Sequence, residues 1–409
     1  MLLTTYLAAA LSIQRAAALV ISDPNIWDNR IPDASHIWRQ TQSKSKDATD
    51  RSDQTPDGRI ELKPTVSAIK PSTRKLTGKF LQITDIHPDP YYKTYANTDE
   101  ESACHRGKGV SGYYGAETSD CDTPLSLVNA TFAWLKENLR DEVDFIIWTG
   151  DSARHDNDED MPRSRKQVIS QNEFVVSKFL EAFGKPENWH DDDPTNDFLI
   201  PVIPTLGNND ILPHNVMTAG PNSWTTSYLK TWRQFIPEEQ RHQFQRGGWF
   251  SSEVIPNQLA VFSLNTLYFF TSNAATDGCA AKSEPGFEQF EWLRAQLNIV
   301  RARGMKAILM GHVPPARVES KVSWDETCWQ KYTLWTHQFR DVIVAGLYGH
   351  MNIDHFLLQD WNDVKKHIRN GKAKINEQTV IGLADDDSDP SLVPNYFPTV
   401  RVYSYNISG

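Results

Sequence analysis

No tract of basic residues, no Cys-x-x-Cys pair and no internal repeat occurs in this sequence. With 42 Lys and Arg against 52 Asp and Glu, a net charge of −10, the chain carries no electrostatic footprint for nucleic acid. A polyanion would have to be drawn by a local patch, since the protein as a whole repels it. The four cysteines, Cys104, Cys121, Cys279 and Cys328, lack the spacing of a zinc ribbon or a thiol redox motif. Their even number favours two disulfides, for which three connectivities are possible.

What the 409 residues do contain is 39% hydrophobic and 11% aromatic residues, 13 of them Trp, enough for a substantial core in one large domain or two. Residues 1–20 are apolar apart from Gln14 and Arg15, with small residues at 16–18. They read as a signal peptide. The alternative is an uncleaved signal anchor, although Arg15 sits badly in a span needing about 20 apolar residues. Either feature sends the chain into the secretory route, and the anchor would tie it to a membrane. Asn129-Ala-Thr131 and Asn406-Ile-Ser408 fit the glycan-acceptor pattern there. Residues 21–75, rich in Ser, Asp, Lys and Pro, read as a polar linker or stalk with no evident lipid-binding module. Ordered structure is expected over 76–409, and because the chain ends just after a strand pattern, further C-terminal sequence is expected to be missing.

The informative feature is one event that happens five times. An apolar run at 80–83 stops at Asp85-Ile86-His87, and Pro88 and Pro90 forbid its continuation. Two residues apart on an extended chain, Asp85 and His87 would point the same way. A carboxylate oxygen and an imidazole nitrogen aimed at one point make half of a metal site. Apolar runs at 145–149, 199–205, 306–310 and 342–347 then run into Gly150-Asp151, Gly207-Asn208-Asn209-Asp210, Gly311-His312 and Gly349-His350-Met351-Asn352. In open α/β sheets, sites form beyond the carboxyl ends of the strands. Five strand ends carrying Asp, Asn and His predict a single metal site in a layered α/β domain.

Between these runs, Val128, Phe132, Leu135 and Leu139 lie at helical spacing after Thr123-Pro124, with Pro expected at the first helical position. Further helices are expected at about 168–183 and 224–235, and one is marked by Phe287, Phe290, Leu293, Leu297 and Val300. Strands are expected at 249–255 and 259–264, joined by a Pro256-Asn257 turn, and later at 355–358 and 399–405. The long segment 88–124 leaves directly from the first donor pair, and loops of this length are usually functional. The preferred cysteine pairing, Cys104–Cys121 and Cys279–Cys328, closes one loop beside a candidate site segment in each case.

In this order, Asp85-x-His87, Gly150-Asp151, Gly207-Asn208, Gly311-His312 and Gly349-His350 resemble the motifs of the calcineurin-like metallophosphoesterase superfamily. Asp-Ile-His-Pro-Asp, Gly-Asp-Ser-Ala-Arg-His-Asp and Gly-Asn-Asn-Asp resemble its fungal vacuolar endopolyphosphatases, relatives of acid sphingomyelinase, over about residues 78–405. The resemblance implies a four-layer α/β/β/α sandwich. It implies a hydrolase that cuts internal phosphoanhydride bonds of polyphosphate in the vacuole lumen or at its membrane. It also implies two divalent ions, drawn from Mn, Co, Zn, Mg or Fe. Asp85, His87 and Asn352 would hold one, Asn208, His312 and His350 the other, and Asp151 would bridge them. Two other readings stand beside it: a phosphodiesterase acting on sphingomyelin-like lipids or nucleotides, and a binding protein of the same fold with impaired catalysis.

Two positions depart from the superfamily pattern. Asn209 stands where a histidine commonly contacts substrate, and an amide orients an oxygen but cannot deliver a proton. Asn352 stands where an imidazole ligand is usual. His155, four residues after Asp151, matches a histidine of the acid-sphingomyelinase branch and is expected to supply the missing proton in a mildly acidic lumen. Arg154 beside it is expected to clamp a phosphate through its planar fork. The alternative for both is a surface salt bridge to Asp156 or Asp158.

Overall fold

The computed structural model describes residues 77–189, 191, 193–318, 321–359, 380–384, 388–389 and 397–406. The segments expected at 1–20 and 21–75 lie outside the described residues. Two four-stranded sheets carry the architecture. In the first, β1 (Thr77–Ile83), β2 (Phe145–Trp148) and β3 (Val202–Pro204) run parallel. In the second, β4 (Phe250–Ile255) pairs antiparallel with β5 (Leu259–Ser263), followed in parallel by β6 (Lys306–Met310) and β7 (Ile343–Leu347). The last strand, β8 (Arg401–Asn406), returns to the first sheet antiparallel to β1.

Every residue of β2 and β5 is buried, as expected of strands covered on both faces. On one side the cover is helical. Phe179 of α2 (Arg165–Phe183) packs on Trp148, and Phe132 of α1 (Leu125–Asn138) meets Phe179 edge-on. Trp292 of α5 (Pro285–Ala302) meets Phe262 of β5 on the second sheet in the same way. On the inner side the sheets face each other. Ser263 Oγ donates to the Pro204 carbonyl and Thr205 Oγ1 to that of Leu264, at 2.7 and 2.8 Å. Gln82 of β1 donates across the same interface to the Tyr348 carbonyl at 2.9 Å. One continuous apolar core runs through both sheets and their helices, which makes the four-layer α/β/β/α sandwich.

The differences from expectation are local and have causes. β1 starts at Thr77 because its polar first half is recruited by β8, Thr77 opposite Asn406. The strand expected at 199–205 shortens to three residues. Thr123 and Pro124 pair with Pro88 and Asp89, so Pro124 precedes the helix in extended backbone (φ −64°, ψ 147°) instead of opening it. The helix expected at 224–235 is α3 (Ser223–Thr231), opened by an Asn222 capping box. Two helices were not foreseen, α4 (Arg241–Gly247) and α6 (Glu326–Gln338). Asn129 is exposed on α1 and Asn406 is exposed at the end of β8. None of the described helices is long and apolar enough to cross a membrane.

Candidate metal centre

The carboxyl ends of β1, β2, β3, β6 and β7 meet at one place, sewn together by backbone beyond the strands. Asp85 N–H donates to the Gly150 carbonyl at 3.0 Å, while Ile86 and His87 N–H both reach the Asp151 carbonyl. Gly311 N–H donates to Leu347 and Gly349 N–H to His312. Asp85 and His87 do not ride on extended strand: each takes a left-handed backbone, φ 46° and 39°. Asp151, His350 and Asn352 do the same at 55°, 76° and 55°. Such conformations are uncommon for residues with a Cβ and persist where surrounding structure over-determines them.

Two histidines have their tautomer set by main-chain carbonyls. His87 Nδ1 lies 2.7 Å from the Ala153 carbonyl and His312 Nδ1 lies 2.8 Å from that of Thr149. A carbonyl can only accept, so both Nδ1 atoms carry a proton, and in the neutral ring each Nε2 presents a lone pair. His87 Nε2 is buried without a hydrogen-bond partner, 3.4 Å from Asp151 Oδ2 and 3.8 Å from Asp85 Oδ1. His312 Nε2 lies 3.2 Å from Asp151 Oδ2 and 2.8 Å from Asn208 Oδ1, both acceptors. Lone pairs converging on one another leave a place that only a cation or a proton fills. Burial alone would lower both imidazoles, yet the carboxylates of Asp151 and Asp85 outweigh it and raise each to about 9. These donors fit divalent metal.

Asp151 belongs to both donor groups, one with His87 and His155 and one with His312 and His350, each with its donor atoms within 4.8 Å of one another. Its position is held from behind. Asn209 donates its backbone N–H to Oδ1 and its side-chain amide to Oδ2, both at 2.8 Å. The Asn209 amide thus braces Asp151 through one of its two donor hydrogens. Asp210 accepts from the backbone of Asp151, Ser152 and Gly207 and from Asn172, bracing the two turns together. Burial would raise Asp151, but His312 and His87 hold it well below the usual carboxylate range. Asp85, also held low despite burial, accepts from His350 N–H at 3.1 Å. Asn208 directs Oδ1 at His312 Nε2 and His350 Nδ1, 2.8 Å from each. Asn352 is half-buried two residues further on.

His155 lies against this centre, its ring stacked on that of His87 with centroids 4.0 Å apart. Its partner is neither Asp156 nor Asp158 but Asp122, a residue that no local pattern singles out. Asp122 accepts from both the backbone N–H and Nδ1 of His155 at 2.6 Å. Arg154 does not face the centre. It is buried, donates to the carbonyls of His155 and Met161, and lies over the Tyr91 ring, so the expected phosphate clamp is a brace of its own loop.

That loop is tied to segment 88–124 by His105, which is buried between two carboxylates, Nε2 on Asp89 at 2.7 Å and Nδ1 on Asp158 at 2.6 Å. Cys104 beside it is disulfide-bonded to Cys121, and Cys279 to Cys328. Three other residues carry structural work at the centre without having been assigned any: Asp210, His214 and Thr266, whose hydroxyl accepts from His312 and Val313 N–H.

A two-sheet scaffold with donors at its parallel strand ends, grouped around one shared carboxylate, defines the class of dinuclear metallohydrolases. Residues 78–353 match the calcineurin-like phosphoesterase family, and the chain belongs to it. Members of this family use a dinuclear metal centre. The chain is 51% identical to an endopolyphosphatase of Neurospora crassa over 83% of its own length and 53% of the relative's. It is 46% identical to an endopolyphosphatase of Saccharomyces cerevisiae over 77% of this chain and 46% of that one. A Debaryomyces hansenii endopolyphosphatase is 45% identical over 80% and 45% respectively. The chain spans about half the length of the curated relatives it matches.

Proposed function

We propose that this chain is a metal-dependent hydrolase that cuts internal phosphoanhydride bonds of inorganic polyphosphate into shorter chains. The observation that carries the reading is Asp151, one buried carboxylate shared by two groups of donors. The substrate is drawn from the relatives named endopolyphosphatase.

Asp85, His87 and Asn352, with Asp151, would hold one ion, and Asn208, His312 and His350, again with Asp151, the other. When bound, the ions supply Lewis acidity and an activated water. The chain's own residues do the rest. Asn209 and Asp210 keep Asp151 and its turn in place. Asp122 holds His155 through Nδ1, leaving Nε2 to protonate the departing phosphate oxygen. On this reading the domain works in the secretory route, in the vacuole lumen or at its membrane. Its two disulfides support an oxidising compartment.

The test is to incubate the purified chain with long-chain polyphosphate and Mn²⁺ and to size the products over time. Internal cutting gives a spread of intermediate lengths before much orthophosphate. Orthophosphate from the start, with the remaining chains still long, indicates an end-cutting enzyme. Intact polyphosphate with turnover of a nucleotide or sphingomyelin diester would move the chain to the phosphodiesterase reading.

A further inference from the structure

A ligating asparagine must solve a problem that an aspartate does not have. The two ends of its amide have nearly the same shape and opposite chemistry, and only the oxygen can face a cation. Something behind the amide must accept from its NH₂, or the group can turn and present hydrogens to the metal.

At Asn208 that acceptor is an imidazole. Asn208 Nδ2 lies 2.8 Å from His214 Nε2, on the side away from His312 and His350. The NH₂ can only donate, so Nε2 must be the bare nitrogen of His214 and Nδ1 must carry the proton. The nearest carboxylate to Nδ1 is Asp156, 3.7 Å away, which favours a proton on that side. With the proton on Nε2 instead, the ring would attract the amide oxygen and turn NH₂ toward His312, whose Nε2 lone pair would accept it. Both pairings satisfy the hydrogen bonds, but only the first leaves an oxygen facing the centre. The turn itself is closed locally, since the Asn215 N–H donates back to the Asn208 carbonyl, and this brings His214 back to the amide.

We propose that His214 is a positioning residue that sets which end of the Asn208 amide faces the centre, with Asp156 biasing its tautomer. The inference rests on reading this cluster as a metal centre, and it adds a residue outside the donor set.

The test measures metal, not turnover: Mn²⁺ titration of the full chain after chelator treatment, followed by electron paramagnetic resonance. His214→Ala is expected to weaken one of two Mn²⁺ sites by about 10–100-fold, the usual effect of removing a partner that orients a ligand. His214→Gln, whose side-chain carbonyl can accept from Asn208, is expected to restore binding to within a few-fold. Asp156→Ala, a change at a half-exposed position, is expected to weaken the same site by less than His214→Ala does. Equal losses in His214→Ala and His214→Gln would overturn the proposal, as would wild-type binding by His214→Ala. Should His214→Ala not fold, wild-type binding by Asp156→Ala together with weakened binding by His214→Gln would overturn it. A wild-type chain that takes up no Mn²⁺ would overturn the metal-centre reading itself, and is seen before any substitution is made.

Discussion

Asp122 and His155 are joined twice, the carboxylate taking the histidine's backbone N–H on one oxygen and its Nδ1 on the other, both at 2.6 Å. Burial would raise the Asp122 carboxyl, but the His155 imidazole and its hydrogen bonds hold it low. The pair fixes ring rotation and leaves a single nitrogen for chemistry. His155→Ala is therefore expected to lower turnover by about 10²–10⁴-fold, the range of general acid–base catalysis. Asp122→Ala should cost less, because the ring survives but loses its hold. Elemental analysis separates this role from ligation: both variants should keep their metal. A His155→Ala protein that loses an ion would make His155 a ligand, as its place beside His87 and Asp151 also permits.

Asn209→Ala removes the amide that donates to Asp151 Oδ2. A hydrogen bond to a charged group contributes about 1.5–3 kcal/mol, and the carboxylate it releases is shared by both donor groups. Affinity for metal should fall by about 10–100-fold, with activity partly recovered in excess Mn²⁺. If the amide contacted substrate instead, metal affinity would be unchanged and KM would rise.

Gly207 has no room for a side chain. A Cβ there would lie 2.0 Å from Asp151 Oδ1 and 2.2 Å from Asp151 N. Gly207→Ala must displace the shared carboxylate or its turn, with a stability loss of roughly 1–3 kcal/mol, typical of overpacking. It should lose both metals, and excess Mn²⁺ should not restore them. Wild-type metal content in this variant would show that the two turns can separate without consequence.

His105 provides a pH test at a residue outside the donor set. Burial would lower the imidazole, but its hydrogen bonds to Asp89 and Asp158 raise it above its ordinary value. Such a group contributes stability that is complete below about pH 6.5, its unfolded value, and that is lost as pH rises through the folded one. Asp158, held down to about 2, works at the other end: its contribution is present above about pH 3.9 and is lost as pH falls toward 2. Breaking a buried pair by removing one partner costs about 3–5 kcal/mol. The Tm of His105→Ala should lie furthest below wild type between about pH 4 and 6.5 and approach it as the pH rises beyond that. A gap independent of pH would mean that His105 serves only as packing.

The sequence by itself determined the class of site, because that information is local. An apolar run that breaks, in four cases at Gly, and then presents Asp, Asn or His is visible in five or six residues, and the five breaks meet at one end of the sheets. The tertiary structure decided how those donors are held and what surrounds them. Asp122 and His155 are 33 residues apart in unpatterned loops, and neither predicts the other. Arg154 and His155 are neighbours in sequence, yet one turns into the protein and the other toward the centre. The helix Glu326–Gln338 escaped notice because its aromatic and polar residues mark no clean face. The start of β1 escaped because its partner strand is more than 300 residues away. Residue type and short spacing are written in the chain, whereas side-chain direction and distant pairing exist only once the chain has closed on itself.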